Sequence, residues 1–356
     1  MEINKILKVA VNGGASDIIL KTSAYPRFRH NGVLVSLSDG SKITPEMIAL
    51  WIEQLAPKHL IEQFQASGDV DFSYQSKSGH RFRVNLYRQQ RSMALVLRVI
   101  SNYVKSIDEL QLPKQLNQFT MQKRGLILVT GATGSGKSTT LAAMIDKINE
   151  TRAEHIVTIE DPIEFIFKEK KATISQREVG VDTVSFAKAL RASLRQDPDI
   201  IFVGELRDKE TTETALMAAE TGHLVLSTLH TSDAPESINR LLSFFKPHQH
   251  AAVRQTLANT LKAVLSQRLV RRASGNGRAV AMEIMTASQA IRDLIEGGGE
   301  LARILDLMKQ GEASYGMQTF DRALEKLVTE GIITKEEALA HSSNRGNFEL
   351  LLQGVS

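Results

Sequence analysis

Residues 125–145, GLILVTGATGSGKSTTLAAMI, contain the pattern that decides the fold of this chain. The apolar run 126–129 is typical of a buried strand, and the residues after Lys137 have the spacing of a helix. Between them, residues 131–138 match G-x-x-x-x-G-K-[ST] at every position. Glycines in such a loop let backbone N–H groups point inward, and the helix N-terminus adds positive potential there. The stretch therefore predicts a phosphate-binding loop between a strand and a helix of an α/β fold.

The motif predicts ATP and Mg²⁺ as the cofactors of this loop. Lys137 would reach the β- and γ-phosphates, and Ser138 would hold Mg²⁺. The predicted nucleotide-binding residues are Gly131, Ala132, Thr133, Gly134, Ser135, Gly136, Lys137, Ser138 and Thr139. Hydrolysis needs more than binding, because a carboxylate near the metal and a group that orients water are also required.

One candidate carboxylate follows the apolar strand in DIIFVGELRD (199–208). In sheets of this type, ligands bind at the carboxyl ends of the strands, so this strand end is expected to face the loop. Gly204 occupies the place where an Asp usually binds Mg²⁺. Glu205 follows it and would act on the metal through its longer side chain or through water. We therefore predict Glu205 as a metal-binding and catalytic residue.

A second acidic strand end lies in HIVTIEDPIEF (155–165), which carries Glu160, Asp161 and Glu164. By the same topology this group should also face the loop. Glu164, three residues beyond Asp161, is placed to polarise the attacking water. The sequence predicts Glu164 as the second catalytic carboxylate, and Lys137 is also a predicted catalytic residue.

Two histidines flank the strand in ETGHLVLSTLHTSDA (220–234). His230 ends this strand, so it should lie at the catalytic edge and sense the phosphate. His223 precedes the strand and lies at its opposite end, where it would face a neighbouring chain. Both are predicted nucleotide-site residues, His230 with a catalytic role.

The pattern of strands and helices divides the chain into two domains and a linker. Residues 1–100 mix strands and helices and predict an α+β domain. Residues 101–115 are polar and contain a proline, which indicates a linker. Residues 116–356 alternate buried strands with helices, as in a parallel sheet. From about residue 255 the chain is predicted to be helical, with one short strand at 279–285.

Arginines on the N-terminal strands are candidates for linking phosphate state to domain position. Alternation in HRFRVNLYR places Arg81 and Arg83 on one strand face, and MALVLRVI places Arg98 opposite its apolar residues. An arginine offered to the γ-phosphate accelerates other nucleotide hydrolases about 10³–10⁵-fold. We predict that one or more of these three contacts the nucleotide, and that ATP draws the two domains together.

Composition excludes several classes of protein. The 356 residues contain no cysteine, which removes disulfides, Cys-ligated zinc and thiol chemistry. The net charge of +4 arises from 44 basic and 40 acidic residues, without the concentrated basic face of a nucleic-acid binder. No apolar run approaches the roughly 20 residues that span a bilayer, and the N-terminus does not resemble a secretory signal. The expectation is a cytoplasmic protein that reaches a membrane only through partners and binds no nucleic acid.

Five motifs follow one another along the chain in a fixed order. GATGSGKSTT, TIEDPIEF, QREVG, LRQDPDIIFVGELRD and ETGHLVLSTLHT stand in the order found in the secretion-type hexameric ATPases. In that family, the first two stretches contain the Walker A loop and the Asp box (159–164), and the last two contain an atypical Walker B motif ending in Gly-Glu and the His box. The resemblance covers essentially the whole chain. It implies a PAS-like N-terminal domain, a RecA-like ATPase domain and a homohexameric ring, and it assigns Glu164 and Glu205 as the two catalytic glutamates.

One further stretch points to a branch of the family. AIRDLI (290–295) is similar to the Ala-Ile-Arg-Asn-Leu motif of the PilT-type retraction ATPases of type IV pili, except for Asp293 in place of Asn. The predicted coupling residues are Ala290, Ile291, Arg292, Asp293 and Leu294. They would not do chemistry; Ile291 and Leu294 would pack and Arg292 would face a partner.

The resemblance implies a motor at the inner-membrane base of the pilus, with a platform protein and a paralogous retraction ATPase as partners. The absence of cysteine and of a longer N-terminal region favours the retraction branch. The accessory PilU-type ATPase remains the nearest alternative, and MALVLRVI favours it. A pilus assembly or type II secretion ATPase, a nucleic-acid motor, a small-molecule kinase and a nucleotide-gated scaffold are weaker alternatives.

Overall fold

The computed structural model describes residues 2–30, 33–37 and 41–353. Contacts divide the chain into two compact units. The N-terminal unit comprises the chain up to residue 103 together with 162–166. The C-terminal unit comprises 104–161 and the chain from 167 onward. No helix within the described ranges is long and apolar enough to cross a membrane.

The N-terminal unit is an antiparallel sheet packed against helices. Its strands are β1 (Asp17–Lys21), β2 (Arg27–His30), β3 (Val33–Ser36), β4 (Asp69–Gln75), β5 (Arg81–Gln89) and β6 (Ser92–Ile100). Its helices are α1 (Ile3–Asn12), α2 (Pro45–Leu55) and α3 (Lys58–Ser67). The strand order is β3-β2-β1-β6-β5-β4, and every pairing is antiparallel. This is the α+β arrangement that the sequence predicts. The Asn-Gly pair at 31–32 is typical of a hairpin turn, but it lies outside the described residues.

Local signals in the sequence explain how these elements begin and end. Thr44 caps α2, since its Oγ1 accepts the N–H of Met47, and Pro45 occupies the first helical position. Pro57 separates α2 from α3, because proline cannot continue a helix from its preceding turn. Along β5 the apolar residues at alternate positions are fully buried and the arginines lie on the other face, as predicted.

The C-terminal unit is built on a mostly parallel sheet. Its strands are β7 (Gly125–Thr130), β8 (His155–Glu160), β9 (Thr173–Glu178), β10 (Ile200–Val203), β11 (Leu224–Leu229), β12 (Leu261–Arg271) and β13 (Arg278–Thr286). The order is β13-β12-β7-β11-β10-β8-β9, and only the β12–β13 pair is antiparallel. Every residue of β7, β10 and β11 is buried, which confirms the predicted buried parallel strands.

Helices cover both faces of this sheet. They are α4 (Leu116–Thr120), α5 (Lys137–Thr151), α6 (Phe186–Ser193), α7 (Lys209–Glu220), α8 (Ala234–Ser243), α9 (His250–Thr260), α10 (Gln289–Glu296), α11 (Ile304–Gln310), α12 (Glu312–Tyr315), α13 (Phe320–Thr329), α14 (Lys335–His341) and α15 (Arg345–Leu352). Successive residues of β7 enter different cores: Leu126 and Leu128 join one cluster, and Ile127 and Val129 join the other. The sheet therefore has no solvated face at its centre.

The prediction of a helical chain from about residue 255 is wrong for its first part. Helix α9 ends at Thr260 and runs directly into β12, an eleven-residue strand that pairs with β7. The sequence predicts only the strand at 279–285, which is the core of β13. Leu, Lys, Ala, Gln and Arg in β12 favour helices in isolation, but the open edge of β7 provides a ladder that outweighs this preference.

The boundary between the units also differs from the predicted linker. The division falls at residue 103, so most of 101–115 belongs to the C-terminal unit. Ile107 and Leu112 are buried there, in the cluster that contains Leu116 and Phe119. The polar composition of this segment indicated a linker, although its residues Ile107 and Leu112 pack in the core.

Candidate nucleotide site

The phosphate loop, residues 131–138, follows β7 without an intervening residue. Gly131, Gly134 and Gly136 have φ angles of 143°, 78° and 90°. A Cβ atom at Gly131 would lie 2.5 Å from the carbonyl oxygen of Gln267 and 2.7 Å from Ser135 Oγ. Only glycine fits this backbone, so the glycines of the motif are explained by geometry.

The start of α5 supplies the positive groups of the loop. Lys137 is 8% exposed, and its Nζ donates to the carbonyl oxygens of Gly131 (2.8 Å) and Ala132 (3.1 Å). Ser135 Oγ is buried without a hydrogen-bond partner among the described residues. Ser138 lies half-buried on the first turn of this fifteen-residue helix. A glycine backbone, a helix N-terminus and a held ammonium group fit a polyphosphate, and the hydroxyl of Ser138 fits an oxygen-seeking Mg²⁺.

Strand β12 supports the loop from behind, which the sequence did not predict. Gln267 Nε2 donates to the carbonyl oxygen of Ser135 at 2.6 Å. Arg268 stacks on the Phe320 ring at 3.8 Å and donates from Nη1 to the carbonyl oxygen of His341 at 2.7 Å. The available signal was the polar triplet 266–268 inside an apolar run.

A cavity of about 360 Å³ opens beside the loop. Its walls combine loop residues with β12 and more distant parts of the C-terminal unit: Gly131, Ala132, Thr133, Gly134, Ser135, Ser232, Gln267, Arg268, Leu269, Arg278 and His341. Two arginines in these walls give the cavity a positive character beyond that of Lys137.

Glu205 and His230 lie together at the carboxyl ends of β10 and β11. Glu205 Oε1 is 3.4 Å from His230 Nε2, and His230 Nδ1 is 3.5 Å from Thr133 Oγ1 of the phosphate loop. Glu205 Oε2 also accepts from Arg207 Nε at 2.7 Å. The Glu205 side chain is only 17% exposed, and two basic groups hold its carboxylate beside the loop. The structure thus brings three predicted elements of the site into one chain of contacts.

The fold explains why glycine occupies the usual aspartate position. Gly204 N donates to the carbonyl oxygen of Ile159 at 2.8 Å. A Cβ atom at Gly204 would lie 3.3 Å from that oxygen and 3.4 Å from Phe186 Cε1. A longer side chain has little room here, so the acid appears one residue later at Glu205.

The acids at the end of β8 and after it belong to different compact units. Glu160 is buried and its Oε1 accepts from Thr158 Oγ1 at 2.6 Å. Asp161 is exposed, with Oδ2 3.8 Å from Arg207 Nη1. Glu164, also exposed, lies in 162–166, which belongs to the N-terminal unit through a bridge between Ser101 and Phe165. Glu164 thus belongs to the other compact unit from the loop, and its role at the nucleotide stays a prediction.

Acids of the same sheet engage the candidate arginines Arg98 and Arg83. Arg98 Nε pairs with Asp17 Oδ1 at 2.8 Å, and Arg83 Nε lies 3.8 Å from Asp71 Oδ1. Arg81 is half-buried at the start of β5. All three lie on the N-terminal unit, as predicted, and their contact with a nucleotide remains a prediction.

His223 does not lie at the loop within one chain. Its Nδ1 donates to the carbonyl oxygen of Ala218 at 2.9 Å and closes the last turn of α7. The six residues of β11 place it roughly 20 Å from the strand end that carries His230. A nucleotide role for His223 therefore requires a second subunit.

The predicted coupling residues form the first turns of α10. Ile291 is fully buried and Leu294 packs against the same core, as predicted, while Ala290 and Asp293 are exposed. Arg292 is half-buried, and its Nε donates to the carbonyl oxygen of Ala287 at 2.9 Å. The arginine is thus anchored to its own chain rather than freely extended.

Comparisons with known proteins agree with this geometry. The family model described as type II/IV secretion system protein matches residues 1–339. The type IV pilus retraction ATPase PilT of Pseudomonas aeruginosa is 42% identical over 348 residues, which cover 98% of this chain and 100% of that protein. The type IV pilus ATPase PilU of the same organism is 38% identical over 353 residues, covering 99% and 92%.

A solved structure extends the likeness to three dimensions. The crystal structure of the pilus retraction motor PilT with bound ADP matches with a TM-score of 0.90 and 44% identity, covering 98% of this chain and 99% of that one. The fold is accordingly an N-terminal domain followed by a RecA-like ATPase domain. On the sequence, the site and these likenesses together, the chain belongs to the type II/IV secretion system protein family.

Proposed function

We propose that this chain is an ATPase that drives type IV pilus retraction. The observation that carries the proposal is the link from Glu205 through His230 to Thr133, which joins a strand-end carboxylate to the phosphate loop. The near-full-length likeness to a retraction ATPase supports the biological role. The reaction is hydrolysis of ATP to ADP and phosphate, with water as the nucleophile.

Each loop residue has a distinct part in this proposal. The N–H groups of 131–136 and the Lys137 ammonium would bind the phosphates, while the Ser138 hydroxyl and the Glu205 carboxylate would hold Mg²⁺, Glu205 directly or through water. When bound, Mg²⁺ neutralises charge that develops on the phosphates. His230, in contact with both Thr133 and Glu205, senses which phosphate occupies the loop.

Water activation falls to the two glutamates. Glu205 lies within the C-terminal unit, and Glu164 is carried by the short segment of the N-terminal unit. Because of this division, the approach of Glu164 to the loop would depend on how the two units are arranged. We propose that ATP brings Glu164 and the arginines Arg81, Arg83 or Arg98 toward the phosphates, and that hydrolysis releases them.

The proposed assembly is a homohexamer at the inner-membrane base of the pilus machine. A ring gives His223 a role, since that residue faces away from the loop of its own chain and could meet a neighbouring subunit. The platform protein of the pilus would receive the motion through the α10 turn at 290–294. A paralogous ATPase is a further proposed partner, and no nucleic acid takes part.

The accessory PilU-type role is the second candidate, supported by 38% identity to PilU across nearly the whole chain. One experiment separates the two roles. The gene is expressed in a strain that lacks all of its retraction ATPases, and pilus retraction is scored by twitching motility. Restored twitching supports the main retraction role; its absence, with active ATPase present in the cells, favours the accessory role.

A further inference from the structure

Three cations, Arg124, Lys262 and Arg292, lie near one another at the end of the C-terminal sheet opposite the phosphate loop, close enough for the charges of the two arginines to act on Lys262. Arg124 immediately precedes β7, Lys262 is the second residue of β12, and Arg292 lies on α10. The Lys262 Cε atom passes so close to Gly125 that a Cβ atom there would lie 2.5 Å from it. Lys262 therefore lies directly over the residue that follows Arg124.

Backbone irregularity at Lys262 directs its side chain to this edge. The register between β12 and β7 shifts between Leu261 and Ala263, so Lys262 occupies a β-bulge. Bulges re-aim side chains and are typical of functional edges. Gly125, with φ of 111°, completes the arrangement because any side chain there would collide with the lysine stem.

Arg292 is connected to Lys262 through Ala287 by a series of two hydrogen bonds. Its Nε donates to the carbonyl oxygen of Ala287 at 2.9 Å, and Ala287 N donates to the carbonyl oxygen of Lys262 at 3.0 Å. Burial, followed by the charges of Arg292 and Arg124, lowers the pKa of Lys262. The nearest acid in the motif, Asp293, accepts from Gln289 Nε2 at 2.7 Å.

No ion pair joins an acid to any of these three cations in the part of the chain that the structure describes. Two of the three are half-buried, so solvent screens their mutual repulsion less than it would on an open surface. Three like charges are therefore held together at a cost that a carboxylate from outside would remove.

We propose that Arg124, Lys262 and Arg292 form a docking site for an acidic segment of a partner protein, and that this segment receives the force of the motor. The inference rests on the proposed retraction function and deepens it, since it adds two residues outside 290–294 to the coupling surface. The size of the cluster favours a protein carboxylate. Membrane recognition typically uses about four to eight basic residues, and nucleic-acid binding uses a long series of phosphate contacts.

The position of the cluster suits force transmission. Strand β7 runs from Arg124 to the phosphate loop, and β12 runs from Lys262 to Gln267, which bonds the loop at Ser135. Two adjacent strands thus connect the acidic partner to the nucleotide over roughly 20 Å. A change in the loop would reach the docking site through rigid backbone rather than through flexible side chains.

The test uses Lys262→Met, which keeps the apolar stem, and Arg124→Gln, with the neighbouring surface variant Lys123→Gln as the matched control. Binding of a fluorescein-labelled glutamate-rich peptide to the full-length protein is compared with binding of its glutamine counterpart and of vesicles rich in phosphatidylglycerol. We expect the two cluster variants to bind the acidic peptide about tenfold more weakly than the parent, while the control variant binds it equally well. Vesicle binding and ATP turnover should be the same in the cluster variants as in the parent. In cells, the same two variants should lose retraction.

Equal peptide binding by Lys262→Met and the parent would overturn the proposal, as would selective loss of vesicle binding, which would indicate a lipid site. Full retraction by the Lys262→Met, Arg124→Gln double variant would also overturn it. Failure of the parent itself to retract pili while it hydrolyses ATP would instead count against the proposed function. Measuring ATP turnover of each variant distinguishes a folding defect from a docking defect.

Discussion

Glu205 divides its carboxylate between two basic neighbours, Arg207 on its own loop and His230 on the adjacent strand end. This arrangement fixes the side chain beside the phosphate loop without closing it off from solvent. A carboxylate held in this way can accept a proton or orient water, whereas an amide in the same place can do neither with equal strength. We therefore expect the proposed activity to depend on the charge of Glu205 more than on its shape.

Lys137→Ala should lose nucleotide affinity. The ammonium group is held at the loop by the carbonyl oxygens of Gly131 and Ala132, where it would meet a phosphate. Loss of one charge-assisted contact should weaken ATP binding about 10- to 100-fold, measured by titration with a fluorescent ATP analogue. Lys188→Ala, an exposed lysine of the same unit, is the matched control. Unchanged affinity in Lys137→Ala would remove the lysine from the binding site.

Glu283 should make stability depend on pH. Burial raises the pKa of this carboxyl group to about 7 from its ordinary 4.5, aided by the charge of Asp233 and opposed by Ala234 N, Ser266 and Arg268. The folded protein thus holds a proton that the unfolded chain releases between these values. The contribution of this proton to the free energy of unfolding is fully present below pH 4.5 and is lost as pH rises through about 7. The contribution is at most about 3 kcal/mol.

The measurement is the melting temperature of the parent and of Glu283→Gln at several pH values between 5 and 8.5. Gln keeps an acceptor for the N–H of Ala234 and does not titrate. The parent should lose stability relative to this variant as pH rises, and a difference that stays constant across the range would show that Glu283 does not titrate there.

At the scale of elements, the phosphate loop and β12 form one structural unit. The carbonyl oxygen and the side chain of Gln267 both face the loop, at Gly131 and Ser135 respectively. Loop geometry therefore depends on a strand more than 120 residues later in the chain. Mutations in β12 should alter nucleotide binding without touching the nucleotide motif.

Gly131→Ala and Gly134→Ala should differ in their effects on this element. An alanine at 131 would collide with the Gln267 carbonyl oxygen, while the space around Gly134 is open and only its positive φ, 78°, adds strain of about 1–2 kcal/mol. We expect Gly131→Ala to abolish detectable ATP binding and Gly134→Ala to weaken it. Equal binding by the two variants, measured by the same titration, would contradict the close packing of β12 on the loop.

The elements that could be predicted are those with strong local signals. The phosphate loop, the buried parallel strands and the cap at Thr44 follow from motif, period and capping chemistry. Strand β12 could not be predicted, since its residues favour a helix and only the exposed edge of β7 makes them a strand. Because β12 was not predicted, the positions of Gln267, Arg268 and Lys262 could not be predicted either.

At the scale of the whole molecule, the chain distributes its candidate catalytic groups over two units. The loop, Glu205 and His230 belong to the C-terminal unit, whereas Glu164 and the three arginines belong to the N-terminal unit. Strand-end topology predicts Glu205 and His230 correctly in position, but it cannot reveal that the chain crosses between units after Asp161. Under the proposed function, ATP would bring groups of both units together, and turnover would thereby be linked to movement of the units.

The central claim is that Glu205, beside the phosphate loop, is required for ATP hydrolysis. Release of inorganic phosphate from Mg-ATP tests this claim most directly. The parent and Glu213→Gln, an exposed control on α7, should release phosphate, while Glu205→Gln should bind ATP normally and release phosphate about 10²–10⁴-fold more slowly. Turnover by Glu205→Gln at the rate of the parent would contradict the account.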